Sequence, residues 1–330
     1  MMNLVVEKEY SAWESPCDCR TLLEKMTANW HQRAQVARVK KKAEQESNPE
    51  WIFNETKDDF RNDLLPFKDH PDFLEAPVEM QKKILTCGWL AYNEKTVDIE
   101  CKIVTPACNH IIYREIPGVD DGVYQQIASD TLTDEAYHIQ LVVTACRIAR
   151  ERRGLQSLKL PSFNLVKNML WEQDRCCEPW QKILIQIATA TVSEVFISDY
   201  LDLLADDATI QPLNRLTVNT HRLDEMAHSS IFKNLAKCIY SQLNREQKEF
   251  FMEILPKPVF WFANSELDVW KTMLEQVGFE KTDRVIADCA DAEVNLMRID
   301  YSGVTKLAEE LGILNSSRGI DSFGSAGLLN

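Results

Sequence analysis

The stretch His221-Arg222-Leu223-Asp224-Glu225-Met226-Ala227-His228 sets two imidazoles and two carboxylates within eight residues. An α-helix turns about 100° per residue, so His221, Glu225 and His228 fall within roughly 60° of one another on one face. Imidazole and carboxylate at that spacing make a metal-binding face. Half of the pattern recurs upstream, where Asp134-Glu135-Ala136-Tyr137-His138 repeats the Asp-Glu-x-x-His wording of Asp224 to His228. Two copies predict two metal ions.

The stretches around the motifs carry the helical period. A helix is predicted from about residue 78 to 105, where Pro106 should end or kink it. Its stripe Leu85, Trp89, Tyr92, Thr96, Glu100 and Ile103 is apolar except near Glu100. The next helix, from about 121 to 153, stops at Gly154 and presents Ala128, Thr131, Glu135, His138, Val142, Ala145 and Ala149. A third starts near Pro179, with Ile183, Ile187, Ala190, Glu194, Ile197 and Leu201 on one face. The fourth runs from about 211 to 243 and continues past His228 through Phe232, Leu235 and Ile239. Each core stripe is interrupted at mid-helix by a carboxylate. Buried carboxylates are costly unless paired or coordinated, so packing alone does not account for them.

Around these four helices the expected organisation is one all-α, ferritin-like domain over 1–314. It comprises an N-terminal arm (1–77), a dimetal four-helix core (78–243) and C-terminal helices (244–314), including one from about 282 to 311. Within the arm, 21–46 reads as an exposed helix or arm and 47–78 as a Pro-rich, aromatic segment packed across the core. Residues 315–330, rich in Ser and Gly, read as a disordered tail.

The composition narrows the function. With 330 residues, 45% hydrophobic, the chain can bury a large core. A formal charge of −14 opposes nucleic-acid binding, and the basic run from Arg38 to Lys42 reads as a solvated helix face. No apolar run reaches 18 residues and the N-terminus has no signal-peptide core, which predicts a cytoplasmic protein without membrane contact. Ten cysteines are too dilute for a disulfide scaffold and read as free, mostly buried thiols.

The predicted ligands come in the order Glu100, Glu135/His138, Glu194, Glu225/His228. This is the arrangement of dimetal carboxylate bundles: one Glu from each of two helices and Glu-x-x-His from each of the other two. An oxygen-rich, imidazole-supplemented site suits iron(II), with manganese(II) as a possible substitute, and two adjacent ions suit activation of O2. Asp134 and Asp224 are candidates to accept the second N–H of a ligand histidine and fix its tautomer. Tyr92, two turns before Glu100, is a candidate proton or hydrogen-bond donor, with a plain core role as the alternative. His221 exceeds the six-ligand pattern, and its register with Glu225 and His228 makes it a seventh candidate ligand.

With Glu100, a gap of 35 residues, Asp134-Glu135-x-x-His138, Glu194 and then His221-x-x-x-Glu225-x-x-His228 in place, the sequence resembles the aminoarene N-oxygenases, the family of the p-aminobenzoate N-oxygenase. The resemblance covers about 85–240. It implies a ferritin-like di-iron enzyme with seven protein ligands that uses O2 to oxidise an amine nitrogen to the hydroxylamine and onward to nitroso, nitro or azoxy products. It further implies a small-molecule amine substrate and an external electron donor, a reductase or ferredoxin, with a homodimer as the candidate assembly. Asp199 and Arg298 are candidate substrate contacts, although Arg298 has an ordinary ion pair with Asp300 as its alternative. Two other readings stay open: the same site serving C–H hydroxylation or desaturation, and a non-enzymatic iron-binding protein. A zinc protease is disfavoured, because His-Glu-x-x-His is absent.

Overall fold

The computed structural model describes residues 16–36, 53–290 and 300–329. Among them the regular structure is helical, with one isolated bridge between Asp58 and Ile210. The chain enters through α1 (Pro16–Ala28), the single turn α2 (Trp30–Arg33) and, after the Pro-rich segment, α3 (Pro71–Leu74). The core follows as α4 (Val78–Ile99), a π-helical segment Glu100–Val104, α5 (Thr105–Ile112), α6 (Gly122–Arg153), α7 (Asn164–Asp174), α8 (Pro179–Ala205) and α9 (Pro212–Gln242). Beyond it lie α10 (Arg245–Ile254), α11 (Lys257–Ala263), α12 (Leu267–Gln276), α13 (Thr282–Ala290), α14 (Ser302–Glu310) and α15 (Ser317–Ser325).

Local chemistry sets the long helices' ends. The Asp121 side chain accepts the Val123 N–H at 2.9 Å to start α6, and Gly154 closes that helix at φ 63°, a left-handed conformation that favours glycine. Pro179 occupies the first turn of α8 behind a capping box of Glu178 and Gln181. Between its ends α8 is apolar and buried on most faces. It is the one described helix long and apolar enough to cross a membrane, and 83% of its apolar window is inside the protein. Its most extensive partner is α9, while α4 packs on α6 and α6 on α9, so the four motif-bearing helices enclose one interior. This is an all-α bundle of the ferritin-like kind, with helices added at both ends.

Pro106 does not end the first core helix. A proline at 106 cannot donate to the carbonyl of Lys102, four residues back. The backbone widens into the π segment over 100–104 and the helix resumes as α5. The Gln186 side chain on α8 donates to the carbonyls of Lys102 at 3.1 Å and Ile103 at 2.8 Å, satisfying acceptors that the regular ladder leaves.

Three other expectations need correction. Residues 315–329 are not a disordered tail: Ser316 caps α15 through the Gly319 N–H, and Phe323 is fully buried in the core. Phe323 and Leu328 pack inward there, in a stretch whose composition is dominated by Ser and Gly. The helix expected over 282–311 is instead α13 and α14, with 291–299 outside the described residues. The segment expected to be exposed over 21–46 is described as far as residue 36, and there one face of it is packed while the other is exposed. Leu23 and Cys19 are buried, and α1 packs against α6 and α9. The segment before α4 does pack across the core, through buried Phe60, Leu65, Phe67 and Phe73. Six of the described cysteines are buried. The basic run 38–42 lies outside the described residues.

Candidate metal centre

Glu100, Glu135, His138, Glu194, His221, Glu225 and His228 converge in the middle of the bundle, each 1% exposed or less. Two groups of ligand-type atoms form, each with all its atoms within 4.8 Å of one another: Glu100, Glu135, His138, His221 and Glu225 in one, Glu135, Glu194, Glu225 and His228 in the other. Glu135 and Glu225 belong to both. The Glu135 carboxylate sets one oxygen 2.8 Å from His138 Nδ1 and the other 3.0 Å from His228 Nδ1. Glu225 does the same, with Oε1 2.7 Å from His221 Nε2 and 3.1 Å from His138 Nδ1, and Oε2 3.3 Å from His228 Nδ1. Glu100 lies on the His221 side at 3.4 Å, and Glu194 on the His228 side at 3.8 Å. The arrangement is two adjacent positions with two shared carboxylates and one terminal carboxylate each. The His221 ring lies 3.9 Å from that of His138, so the additional imidazole makes one position richer in nitrogen.

The donor set fits divalent cations. His228 Nδ1 and Glu135 Oε1 approach to 3.0 Å without hydrogen-bond alignment, and both oxygens of Glu100 and one each of Glu135, Glu194 and Glu225 have no hydrogen-bond donor. Buried polar atoms are otherwise paired, so lone pairs converging on one space indicate a shared positive charge. Four carboxylates match the charge of two divalent ions. The side chains by themselves compensate with protons. Burial drives the Glu100 and Glu194 carboxyls well up, reinforced by the neighbouring Glu135 and Glu225. Burial also opposes ionisation of Glu135, yet His228 and His138 beside it hold it down to about 2. His138 and His228 are raised despite burial because carboxylates surround them, whereas burial and the adjacent His138 lower His221.

The two aspartates cross between helices. Asp224 on α9 sits 3.2 Å from Nε2 of His138 on α6, and Asp134 on α6 sits 3.2 Å from Nε2 of His228 on α9. An Nε2–H donated to aspartate leaves Nδ1 free as a ligand atom in both rings.

The remaining candidates lie elsewhere. The Tyr92 hydroxyl donates to the Tyr200 carbonyl at 2.9 Å, and its ring stacks on Tyr200 at 4.3 Å. Its hydroxyl is thus committed to backbone, correcting the proton-donor expectation. We expect Tyr92→Phe to cost about 1 kcal/mol of stability for the lost buried hydrogen bond and to leave turnover within about twofold, checked by denaturant melts and steady-state kinetics. Asp199 is exposed, near Asp202, Asp300 and Lys233, and does not line the interior. Its position on α8 turns it outward, since five residues after Glu194 is about 140° around the helix. Arg298 lies outside the described residues. Sequence reading missed Gln186 and the contacts of Trp30, Arg33 and Gln35 with the aspartates. Pro106 was the available signal for the first; the arm carried none.

A buried core of this composition, built from Glu-x-x-His on facing helices, defines the class of metal-binding carboxylate bundles. Comparison with known proteins narrows the class. The family described as p-aminobenzoate N-oxygenase AurF matches residues 18–312. The 4-aminobenzoate N-oxygenase of Streptomyces thioluteus is 28% identical over 261 residues, covering 77% of this chain and 76% of its own length. The chain belongs to the p-aminobenzoate N-oxygenase AurF family and is an oxygenase.

Proposed function

We propose that the chain is an O2-dependent, non-haem di-iron N-oxygenase that takes a small arylamine to its hydroxylamine, with an external reductase or ferredoxin as electron donor. The observation that carries this reading is the convergence of seven buried ligand-type side chains into two carboxylate-linked positions, in a chain of this family. Glu100, Glu135, His138, His221 and Glu225 would hold one ion, and Glu135, Glu194, Glu225 and His228 the other. Iron held there would supply the redox chemistry that passes the donor's electrons to O2.

The protein's own residues do the rest. The shared carboxylates Glu135 and Glu225 fix the spacing of the two positions. Asp134 and Asp224 hold His228 and His138 with Nδ1 turned inward. The apolar walls from α4 and α8 exclude bulk water, which strengthens every charge interaction inside. Oxidation of the nitrogen of an arylamine inserts one oxygen atom of O2 into an N–H bond, while two electrons from the donor and two protons reduce the other atom to water.

Incubation of the iron-loaded, reduced chain with 18O2 and 4-aminobenzoate tests this reading. It expects an 18O-labelled hydroxylamine or a more oxidised nitrogen product. Indifference to every arylamine, together with hydroxylation of a C–H substrate, would contradict it.

His221 is the side chain that exceeds a six-ligand set. His221→Ala is expected to retain two irons, because both shared carboxylates remain, while N-oxygenation falls at least about tenfold, as when a tuned ligand sphere is altered. Metal analysis beside product quantification separates the two effects.

A further inference from the structure

The two aspartates behind the histidines are themselves held from outside the four-helix core. Asp134 and Asp224 are 0% and 1% exposed, and each accepts one hydrogen bond from a histidine ring. An ionised carboxylate offers about four acceptor sites, and the rest need donors if it is to keep one orientation. Those donors come from six consecutive residues of the arm. Trp30 Nε1 lies 3.0 and 3.1 Å from the two oxygens of Asp134, and Arg33 Nη1 lies 3.3 Å from one of them. The backbone N–H of Gln35 lies 3.1 and 3.2 Å from the two oxygens of Asp224.

Space filling accounts for Ala34 and Gln35, which are buried, but not for α2. None of the four residues of α2 is buried, whereas α1 supplies the apolar anchors Cys19 and Leu23 and ion-pairs Arg20 with Asp121. What α2 delivers to the core is hydrogen-bond donors. Among the described residues the delivery is unequal. Asp134 receives an indole N–H and a cationic guanidinium, and Asp224 a neutral amide. A carboxylate already shared with a guanidinium is a weaker acceptor for its histidine, so the two imidazoles behind the two metal positions are polarised to different degrees.

We propose that residues 30–35 form a positioning strap for the metal centre: Trp30 and Arg33 fix Asp134 and through it His228, and the Gln35 amide fixes Asp224 and through it His138. The proposal rests on the dimetal reading above. Because Trp30 and Arg33 act on the His228 side alone, their loss weakens one metal position of the pair.

The test is iron release from the full-length, iron-loaded protein to an iron(II) chelator, with metal counted per chain. Trp30→Phe keeps the ring and removes the N–H, and Arg33→Leu removes the cation. Each is expected to release one iron about tenfold faster than wild type, at the lower end of the 10–100-fold typical of outer-shell partners, while the second leaves at the wild-type rate. Arg33→Lys should recover part of the loss. Arg20→Gln breaks the arm's ion pair with Asp121 without touching either aspartate and is expected to behave as wild type. Wild-type release from both Trp30→Phe and Arg33→Leu, or equal acceleration by Arg20→Gln, would overturn the proposal. If Trp30→Phe does not fold, Arg33→Leu carries the same comparison. A wild-type chain that binds fewer than two irons would instead overturn the dimetal reading itself, a failure visible before any variant is measured.

Discussion

Glu225→Gln will leave the chain folded and unable to keep its metal pair, and N-oxygenation will fall by more than about 1,000-fold, well past the 10–100-fold typical of outer-shell changes. The substitution preserves volume, so it opens no cavity. It removes the one carboxylate whose oxygens stand 2.7 Å from His221, 3.1 Å from His138 and 3.3 Å from His228, and thus a negative charge that both positions share. Glu135→Gln should match it, because Glu135 spans the same two histidines, His138 and His228. Losses at the terminal Glu100 or Glu194 should be smaller and confined to one position. Iron per chain and product formation, measured on the same preparations, distinguish the shared from the terminal carboxylates.

The second large effect is on the metal-free protein. Without cations Glu100 and Glu194 must keep protons beside the ionised Glu135 and Glu225, an arrangement that burial penalises, so stripping the metal with a chelator should lower the melting temperature by about 5–10 °C, the scale set by a few kcal/mol of uncompensated buried charge in a chain of this size. Glu100→Gln combined with Glu194→Gln should recover much of that loss in the metal-free state while abolishing the stabilisation by iron. The pH dependence follows from the directions of the shifts. The Glu100 and Glu194 carboxyls are raised in the folded chain, so folding retains protons that the unfolded chain loses above its ordinary value near 4.5, and metal-free stability falls as pH rises from there. His138 and His228 are also raised; their contribution is present below about 6.5 and is lost as pH climbs through their folded values, the same direction. Glu135 and Glu225 are held low, so their contribution is lost only in strong acid, Glu135's as pH falls through about 2. Between pH 5 and 8 the metal-free melting temperature should therefore decline, and the double variant should decline less. A flat profile for both would contradict the charge account.

Much of this was legible from the chain because ligand chemistry and helical period coincide. Glu100, Glu135, Glu194 and Glu225 stood out as carboxylates inside apolar stripes, and the stripes themselves are buried as read, apart from half-buried Ile183 near the start of α8. Gly154 and Pro179 gave ends that local sterics enforce. What was not legible depends on which segments meet in space. Nothing in Trp30-His31-Gln32-Arg33 says that an indole and a guanidinium will reach Asp134, about a hundred residues away. The crossing of Asp134 to His228 and Asp224 to His138 is likewise set by the packing of α6 on α9; the repeat alone would equally allow each aspartate to serve its own helix. Tyr92 and Asp199 were placed by proximity in sequence to Glu100 and Glu194, but the Tyr92 hydroxyl is taken by the Tyr200 carbonyl and the helical rotation of about 140° from Glu194 turns Asp199 outward. The tail misled because Ser and Gly dominate its composition, while Phe323 and Leu328 do the packing.

Anomalous diffraction at the iron edge from crystals of the iron-loaded chain tests the central claim most directly. Two peaks are expected in the space enclosed by Glu100, Glu135, Glu194 and Glu225, one beside His138 and His221 and the other beside His228. A single peak, or iron bound outside that cluster, would contradict the claim that these seven side chains hold a metal pair.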